Sequence, residues 1–196
     1  MQYETFNLFP KIIFIHNLKF NKNIMKKIDK INFRKIATSS RSESNYILEN
    51  KIFKDLKEKI MKQFYIYAHD ILKYKNNKFK ITTSWFTKTL EGEDSVMHNH
   101  RNCMFSGVLY LKGEDNKIKI QFWNPYTANF YVAPTEYNLL NSEHQMFKFP
   151  KNTLIFFPSE MYHKIETYRS KQERISLAFN IIPIGKFGVE DSTLEI

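Results

Sequence analysis

Residues 174–183 read RISLAFNIIP, an apolar run with an arginine, a serine and an asparagine set into it. In an extended strand, side chains at i and i+2 share a face, so Arg174, Ser176 and Asn180 point the same way. The company they keep is that of a core strand, rich in β-branched and aromatic residues. A guanidinium on such an inner wall needs an anionic partner, because an unpaired buried charge is very costly. A bound carboxylate supplies one with bidentate geometry. The alternative is a surface arginine on an edge strand, paired with Glu166 or Glu173, and the apolar neighbours speak against it.

Working outward, the same strand character recurs. FKITTSWFTKTL (79–90), MFSGVLYL (104–111), KIKIQFW (117–123), QMFKF (145–149), TLIFFP (153–158) and YHKIETY (162–168) are short β-branched and aromatic runs. Turn residues separate them, such as Gly113-Glu114-Asp115-Asn116 and Asn124-Pro125. Successive short strands with little helix between them predict an antiparallel sandwich or barrel.

The first 78 residues read differently. FNLFPKIIFI (6–15) predicts an opening strand, and Asn21 is placed to cap a short helix with Ile24, Ile28 and Ile31 on one face. The polar stretch Thr38–Asn45 predicts a loop. IFKDLKEKIMKQFYIYAHDILKYK (52–75) predicts one long amphipathic helix that buries Phe53, Leu56, Ile60, Phe64, Ala68 and Ile71. The expected architecture is mainly β with N-terminal helices. It forms a single domain over 1–196, with a strand plus helical layer in 1–78 and a jelly-roll core in 79–196.

Composition narrows the class. The chain has 196 residues, 42% hydrophobic and 16% aromatic, ample for a core and unlike a disordered chain. No apolar run approaches the roughly 20 residues that span a bilayer. The opening MQYETFNLFPKIIFIHNL carries an early acid and no small-residue cleavage site, unlike a signal peptide. A lone cysteine, Cys103, makes no internal disulfide and favours a reducing compartment. The expected location is cytoplasmic. Residues 1–80 hold 18 Lys/Arg against 7 Asp/Glu, and residues 81–196 hold 12 against 13, so the basic excess belongs to the first part. Those lysines alternate with apolar residues at helical spacing, as on a solvated helix face, and nucleic acid is not the expected partner.

Six histidines are present, and two lie two apart in HNHRNCMFSGVLYL (98–111). On a strand, His98 and His100 would enter one cavity and offer two nitrogen ligands to a metal; in an exposed loop they would not. A third histidine, His163, precedes the RISLAFNIIP run. If Lys164–Thr167 and Gln172–Ile175 form a hairpin around Tyr168-Arg169-Ser170-Lys171, then His163, Ile165, Arg174 and Ser176 share a face. Tyr110 has the parity to point inward with its hydroxyl toward a carboxylate. Trp85, Asn102, Trp123 and Asn124 are candidates for the substrate pocket at the cavity mouth. Cys103 reads as a small buried hydrophobe, and His16, His69 and His144 as structural or exposed.

With these residues placed, the chain resembles the Fe(II)- and 2-oxoglutarate-dependent oxygenases. The closer resemblance is to the family described as putative 2OG-Fe(II) oxygenases of marine bacteria and their phages. The matching segments are NLFPKIIFI, SWFTKTLEGEDSVMHNHRNCMFSGVLYLKG, FFPSEMYHKIE and ERISLAFN. The resemblance implies a double-stranded β-helix, Fe(II) as cofactor and 2-oxoglutarate as cosubstrate. It also implies hydroxylation of a substrate with release of succinate and CO2. It makes His98 and His163 metal ligands and gives Arg174 and Ser176 the far carboxylate of 2-oxoglutarate. Tyr110 and Asn180 are secondary candidates for that carboxylate.

The chain departs from the superfamily pattern at His100, where an acid is expected. A three-histidine site is chemically acceptable for iron. Otherwise His100 stands aside for water or substrate, or the register shifts so that His100 is the first ligand and Asn102 the weak one. The implied substrate is a small molecule or a peptidyl residue, with no membrane, and a homodimer is compatible with the sequence. A phage gene would put the protein in the host-cell cytoplasm. Two rival readings stand beside this one. One is a cupin-like three-histidine metal dioxygenase that does not use 2-oxoglutarate, against which Arg174 and Ser176 argue. The other is a non-catalytic barrel that binds a polyanion through its basic helices.

Overall fold

The computed structural model describes residues 2–21, 23–75, 77–126, 130 and 132–196. The chain runs β1 (Phe14–Asn17), α1 (Ile24–Ile28), β2 (Phe33–Lys35), β3 (Ser40–Ser42) and α2 (Lys54–Tyr65). There follow β4 (Lys78–Thr89), β5 (Phe105–Lys112), β6 (Ile118–Trp123), β7 (His144–Phe149) and β8 (Thr153–Pro158). It closes with β9 (His163–Ile165), β10 (Arg174–Ile184), β11 (Lys186–Phe187) and β12 (Leu194–Glu195). A seven-stranded antiparallel sheet has the order β1-β8-β5-β10-β4-β3-β2, and a three-stranded sheet has the order β7-β6-β9.

Alternation on β10 sorts the interior into two compartments. Ile175, Leu177, Phe179 and Ile181 face the helices and pack with Phe156, Ile60, Phe64 and Tyr67. The opposite face of the large sheet packs Val108, Tyr110, Ile155, Phe157 and Ala178 against Ile118, Ile120 and Phe122 of the small sheet. Gly107 marks how closely the helical side is filled: a Cβ there would lie 2.4 Å from the Phe179 ring and 2.9 Å from Phe156. The lysines of α2 stay outside, with Lys54–Glu58 and Lys59–Asp55 pairs along the solvent face. Among the described residues no helix is long and apolar enough to cross a membrane.

Several expectations need correction. The opening strand is shorter than 6–15: it begins at Phe14, and Phe9 before it is exposed with a positive φ of 56°. Asn21 does not cap α1; Asn23 holds the N-cap position, and the Asn21 Oδ1 accepts from the Asn23 amide at 3.0 Å. The polar stretch 38–45 contains β3, so the first 78 residues supply β1, β2 and β3 to the large sheet rather than one strand. Ser42 explains how a polar strand is buried there. Its hydroxyl accepts from the Phe86 amide at 3.1 Å and donates to the Ser44 carbonyl at 2.8 Å, so the group is satisfied inside.

The long helix also changes character. Beyond Tyr65 it widens into a π-helical turn over Ile66–Ile71. Phe53, Leu56, Ile60, Phe64 and Ala68 are buried as expected, but the extra residue per turn brings Tyr67 inside and leaves Ile71 46% exposed. Finally, β9 and β10 do not form a hairpin. His163 on β9 pairs with Phe122 on β6, whereas β10 lies between β4 and β5. The two strands belong to opposite sheets, so His163 and Arg174 look into the space between them from opposite walls.

Candidate metal and oxyanion site

A cavity of about 650 Å³ occupies that space, with His98, His100, His163, Arg174, Ser176 and Asn180 in its lining. His98 and His100 reach it from the loop before β5 rather than from a strand. The loop is held by main-chain bonds: the His98 and His163 amides each donate to the other's carbonyl, at 2.9 and 2.8 Å. The His100 amide donates to the Ser159 carbonyl at 3.0 Å. Two residues apart, the imidazoles still converge because the backbone is pinned on both sides of them.

One ring nitrogen from each of the three histidines lies within 4.8 Å of the other two. The Nδ1 atoms are all engaged by acceptors: the Val96 carbonyl at 2.9 Å for His98, the Met161 carbonyl at 2.9 Å for His163, and the Asn180 Oδ1 at 2.6 Å for His100. Each acceptor calls for an Nδ1–H, so that in the neutral ring the lone pair lies on Nε2. Burial pushes the His163 imidazolium down to about 3 and lowers His100 as well, so both rings stay neutral. Neutral imidazoles with converging lone pairs are what a divalent transition metal needs, and this donor set suits iron.

Asn180 is tied into the same arrangement. Its Oδ1 also accepts from the Ser106 hydroxyl at 3.0 Å, and its Nδ2 donates to Thr83 Oγ1 at 3.0 Å. These bonds fix the amide so that its oxygen faces His100. The Trp85 indole stacks on the His100 ring at 5.7 Å, and Phe157 and Phe122 pack on His163 at 4.9 and 5.8 Å.

Deeper in, Arg174 is 2% exposed. Its Nη2 donates to Thr89 Oγ1 at 2.7 Å, and among the described residues its Nε and Nη1 have no hydrogen-bond partner. The Tyr110 hydroxyl is likewise buried without a partner, and its pKa is raised by burial. Tyr110 sits opposite Ser176 in the β5–β10 register, two residues along from Arg174. Unsatisfied buried donors of this kind are rare; those of Arg174, which lines the cavity, fit a carboxylate, whereas Tyr110 is fully buried outside the lining. The residues present therefore fit Fe(II) at the histidines and a carboxylate at the arginine.

The remaining sequence candidates divide. Trp85 lines the cavity; Asn102, Trp123 and Asn124 are not in its lining. Asn102 is exposed with φ 58°, and Trp123 stacks on His144 at 4.9 Å. Cys103 is a half-buried free thiol outside the lining, and His69 bonds the Asn77 carbonyl at 3.0 Å. Sequence reasoning missed Thr89, the arginine's side-chain partner, and the wall built by Ser39, Arg41 and Asn45. The register of β4 against β10 would have shown Thr89 opposite Arg174, but a single strand's sequence does not disclose its neighbour.

An antiparallel two-sheet core with three convergent imidazoles and a buried, half-partnered arginine is a framework for a metal and an oxyanion. The sequence model of the family described as "Putative 2OG-Fe(II) oxygenase" matches residues 83–180, half of the chain, and the chain belongs to that family. No curated protein matches it. Among solved structures, HygX from Streptomyces hygroscopicus with nickel, 2-oxoglutarate and hygromycin B bound superposes with a TM-score of 0.62 at 7% identity, over 87% of this chain and 82% of that one. A 2OG-Fe(II) oxygenase family oxidoreductase from Burkholderia pseudomallei gives 0.57 at 12% identity, over 87% and 84%. A Pseudomonas putida prolyl-4-hydroxylase gives 0.52 at 16% identity, over 81% of each chain. The likeness is one of fold, the double-stranded β-helix. Family membership makes the chain a 2-oxoglutarate-dependent oxygenase with Fe(II) as its metal and 2-oxoglutarate as its cosubstrate.

Proposed function

We propose that His98, His100 and His163 together hold the Fe(II), and that Arg174 receives the far carboxylate of 2-oxoglutarate in the hydroxylation of a small molecule. The observation that carries the reading is the pair of free donors on Arg174, buried in the same cavity as the histidine triad. When bound, iron and 2-oxoglutarate would let O2 do the oxidising: one of its oxygen atoms goes into the succinate formed as the cosubstrate loses CO2, and the other enters a substrate C–H bond.

The chain's own residues bind and orient. The Val96 and Met161 carbonyls and the Asn180 amide hold protons on Nδ1, so that each ring presents Nε2. Asn180 faces the triad rather than Arg174, so its part is to orient His100 and not to grip the cosubstrate. Ser176 stands two residues from Arg174 on the same face of β10 and lines the same cavity. Val108, Ile120, Ile165 and Ala178 form apolar stretches of the lining and limit water there. Because His100 replaces a carboxylate, the metal site carries one more positive charge than a two-histidine, one-acid site, and a dianionic cosubstrate offsets it.

Titration of 2-oxoglutarate into the anaerobic Fe(II) protein tests the assignment. Arg174→Gln is expected to weaken cosubstrate binding at least about tenfold while iron uptake stays unchanged. Equal 2-oxoglutarate affinity in wild type and variant would overturn it.

A further inference from the structure

The cavity holds a second guanidinium for which the metal and cosubstrate leave no use. Arg174 enters from β10 and Arg41 from β3, with β4 between them in the sheet. A 2-oxoglutarate dianion spends one carboxylate at the metal and one at Arg174, so both of its charges are already placed. Arg41 forms no ion pair among the described residues, and its Nε is buried without a hydrogen-bond partner. Its guanidinium lies 4.2 Å from the Trp85 ring centroid, and Trp85 in turn stacks on His100 at 5.7 Å. One indole therefore separates this cation from the histidine triad.

A second orphan lies beside it. The Asn45 Oδ1 is buried with no hydrogen-bond partner among the described residues, and Asn45 lines the same cavity. Local pairing brings the two residues to either side of Trp85: Arg41 is opposite Thr87, and the Asn45 carbonyl accepts from the Ser84 amide at 2.7 Å. The wall thus offers a planar cationic fork, a flat aromatic surface and a free acceptor within reach of one another. A guanidinium edge selects a two-oxygen anion, and an unpaired amide oxygen selects an N–H or O–H.

Resting on the assignment of the metal and cosubstrate above, we propose that Arg41, Asn45 and Trp85 form the substrate subsite. It takes a small carboxylic acid with an adjacent hydroxyl or amino group, seated with its carboxylate on Arg41. Cavity charge points the same way. The three-histidine metal site lacks the usual carboxylate, and Arg41 and Arg101 add positive charge to the lining against Asp94 alone, so an anionic substrate is favoured. The cavity of about 650 Å³ must hold the cosubstrate as well, which limits the part of the substrate it encloses to a small one.

The test uses a panel of 2-hydroxy and 2-amino monocarboxylic acids, each beside its primary amide. Binding is read by tryptophan fluorescence on the metal-free protein, and by the visible spectrum of the anaerobic Fe(II)–2-oxoglutarate protein. At least one acid is expected to bind about tenfold or more tighter than its amide. Arg41→Gln should erase that preference, and Arg41→Lys should keep part of it, with 2-oxoglutarate affinity within about twofold of wild type in both. The inference is overturned if no acid is preferred over its amide, or if Arg41→Gln weakens 2-oxoglutarate as much as Arg174→Gln does. A wild-type protein that binds iron but gives no 2-oxoglutarate chelate fails the earlier assignment instead, and that is read before any panel member is added.

Discussion

The two faces of β10 are built from alternate residues of one segment and obey opposite rules. Toward the helices, Ile175, Leu177, Phe179 and Ile181 lie in a closed aromatic core where even a methyl on Gly107 would collide. Toward the small sheet, Arg174, Ser176, Ala178 and Asn180 line an open cavity, and among the described residues the Arg174 Nε and Nη1 have no hydrogen-bond partner. Folding free energy is gathered on the first face and unspent binding capacity is kept on the second. A strand with period two can serve both because each substitution is felt on one side only.

That contrast can be broken most forcefully on the helical side. Phe179→Ala removes a fully buried ring from the core and should destabilise the protein by about 3–5 kcal/mol, read as a lowered denaturation midpoint at unchanged slope. A loss under about 1 kcal/mol would mean the core repacks freely and the two faces are not so distinct.

Acid should act on the cavity side. His163 protonates near its ordinary 6.5 in the unfolded chain but only near 3 when folded. Between those values the unfolded chain binds more protons, so the stability of the metal-free protein falls as pH drops below 6.5, by up to about 1.4 kcal/mol per pH unit from this group. Denaturation midpoints measured from pH 7 to 5 should decline in wild type and flatten in His163→Gln. A wild-type profile no steeper than that of the variant would contradict the burial argument.

A smaller effect concerns orientation. Asn180→Ala leaves the His100 Nδ1 without its acceptor and should weaken Fe(II) binding about 10- to 100-fold, with the fold intact by circular dichroism. Unchanged metal affinity would show that Asn180 does not position His100. Smallest of all is the stability effect of Arg174→Met. Replacing a buried, half-partnered cation with an apolar chain should leave the metal-free protein within about 1 kcal/mol of wild type, or more stable. A large destabilisation would mean Arg174 is a structural element rather than a reserved binding group.

Much of this was legible in the sequence, because the strands of the barrel carry strong alternation and sharp turn residues. The runs at 79–90, 104–111, 117–123, 153–158 and 174–183 fall on β4, β5, β6, β8 and β10. Pairing was not legible. His163 and Arg174 share the cavity as the hairpin implied, yet they do so from facing sheets, since inward parity is the same whether strands are neighbours or opposite walls. β3 reads as loop in the sequence because its buried serine, Ser42, is satisfied through hydroxyl bonds to main chain, which is loop chemistry. Arg41 was missed along with it. The π-helical turn after Tyr65 has no periodic signature, so the expected stripe holds through Ala68 and fails only at Ile71.

The chemistry of the metal site turns on His100, which stands where an acid is expected. The most direct measurement is an anaerobic titration of Fe(II) into the protein with 2-oxoglutarate present, following the visible charge-transfer absorption of the chelate in wild type and in His100→Ala. The band should grow to saturation near one iron per chain in wild type and be lost or greatly weakened in His100→Ala. A band of full intensity and unchanged iron affinity in His100→Ala would contradict a three-histidine site.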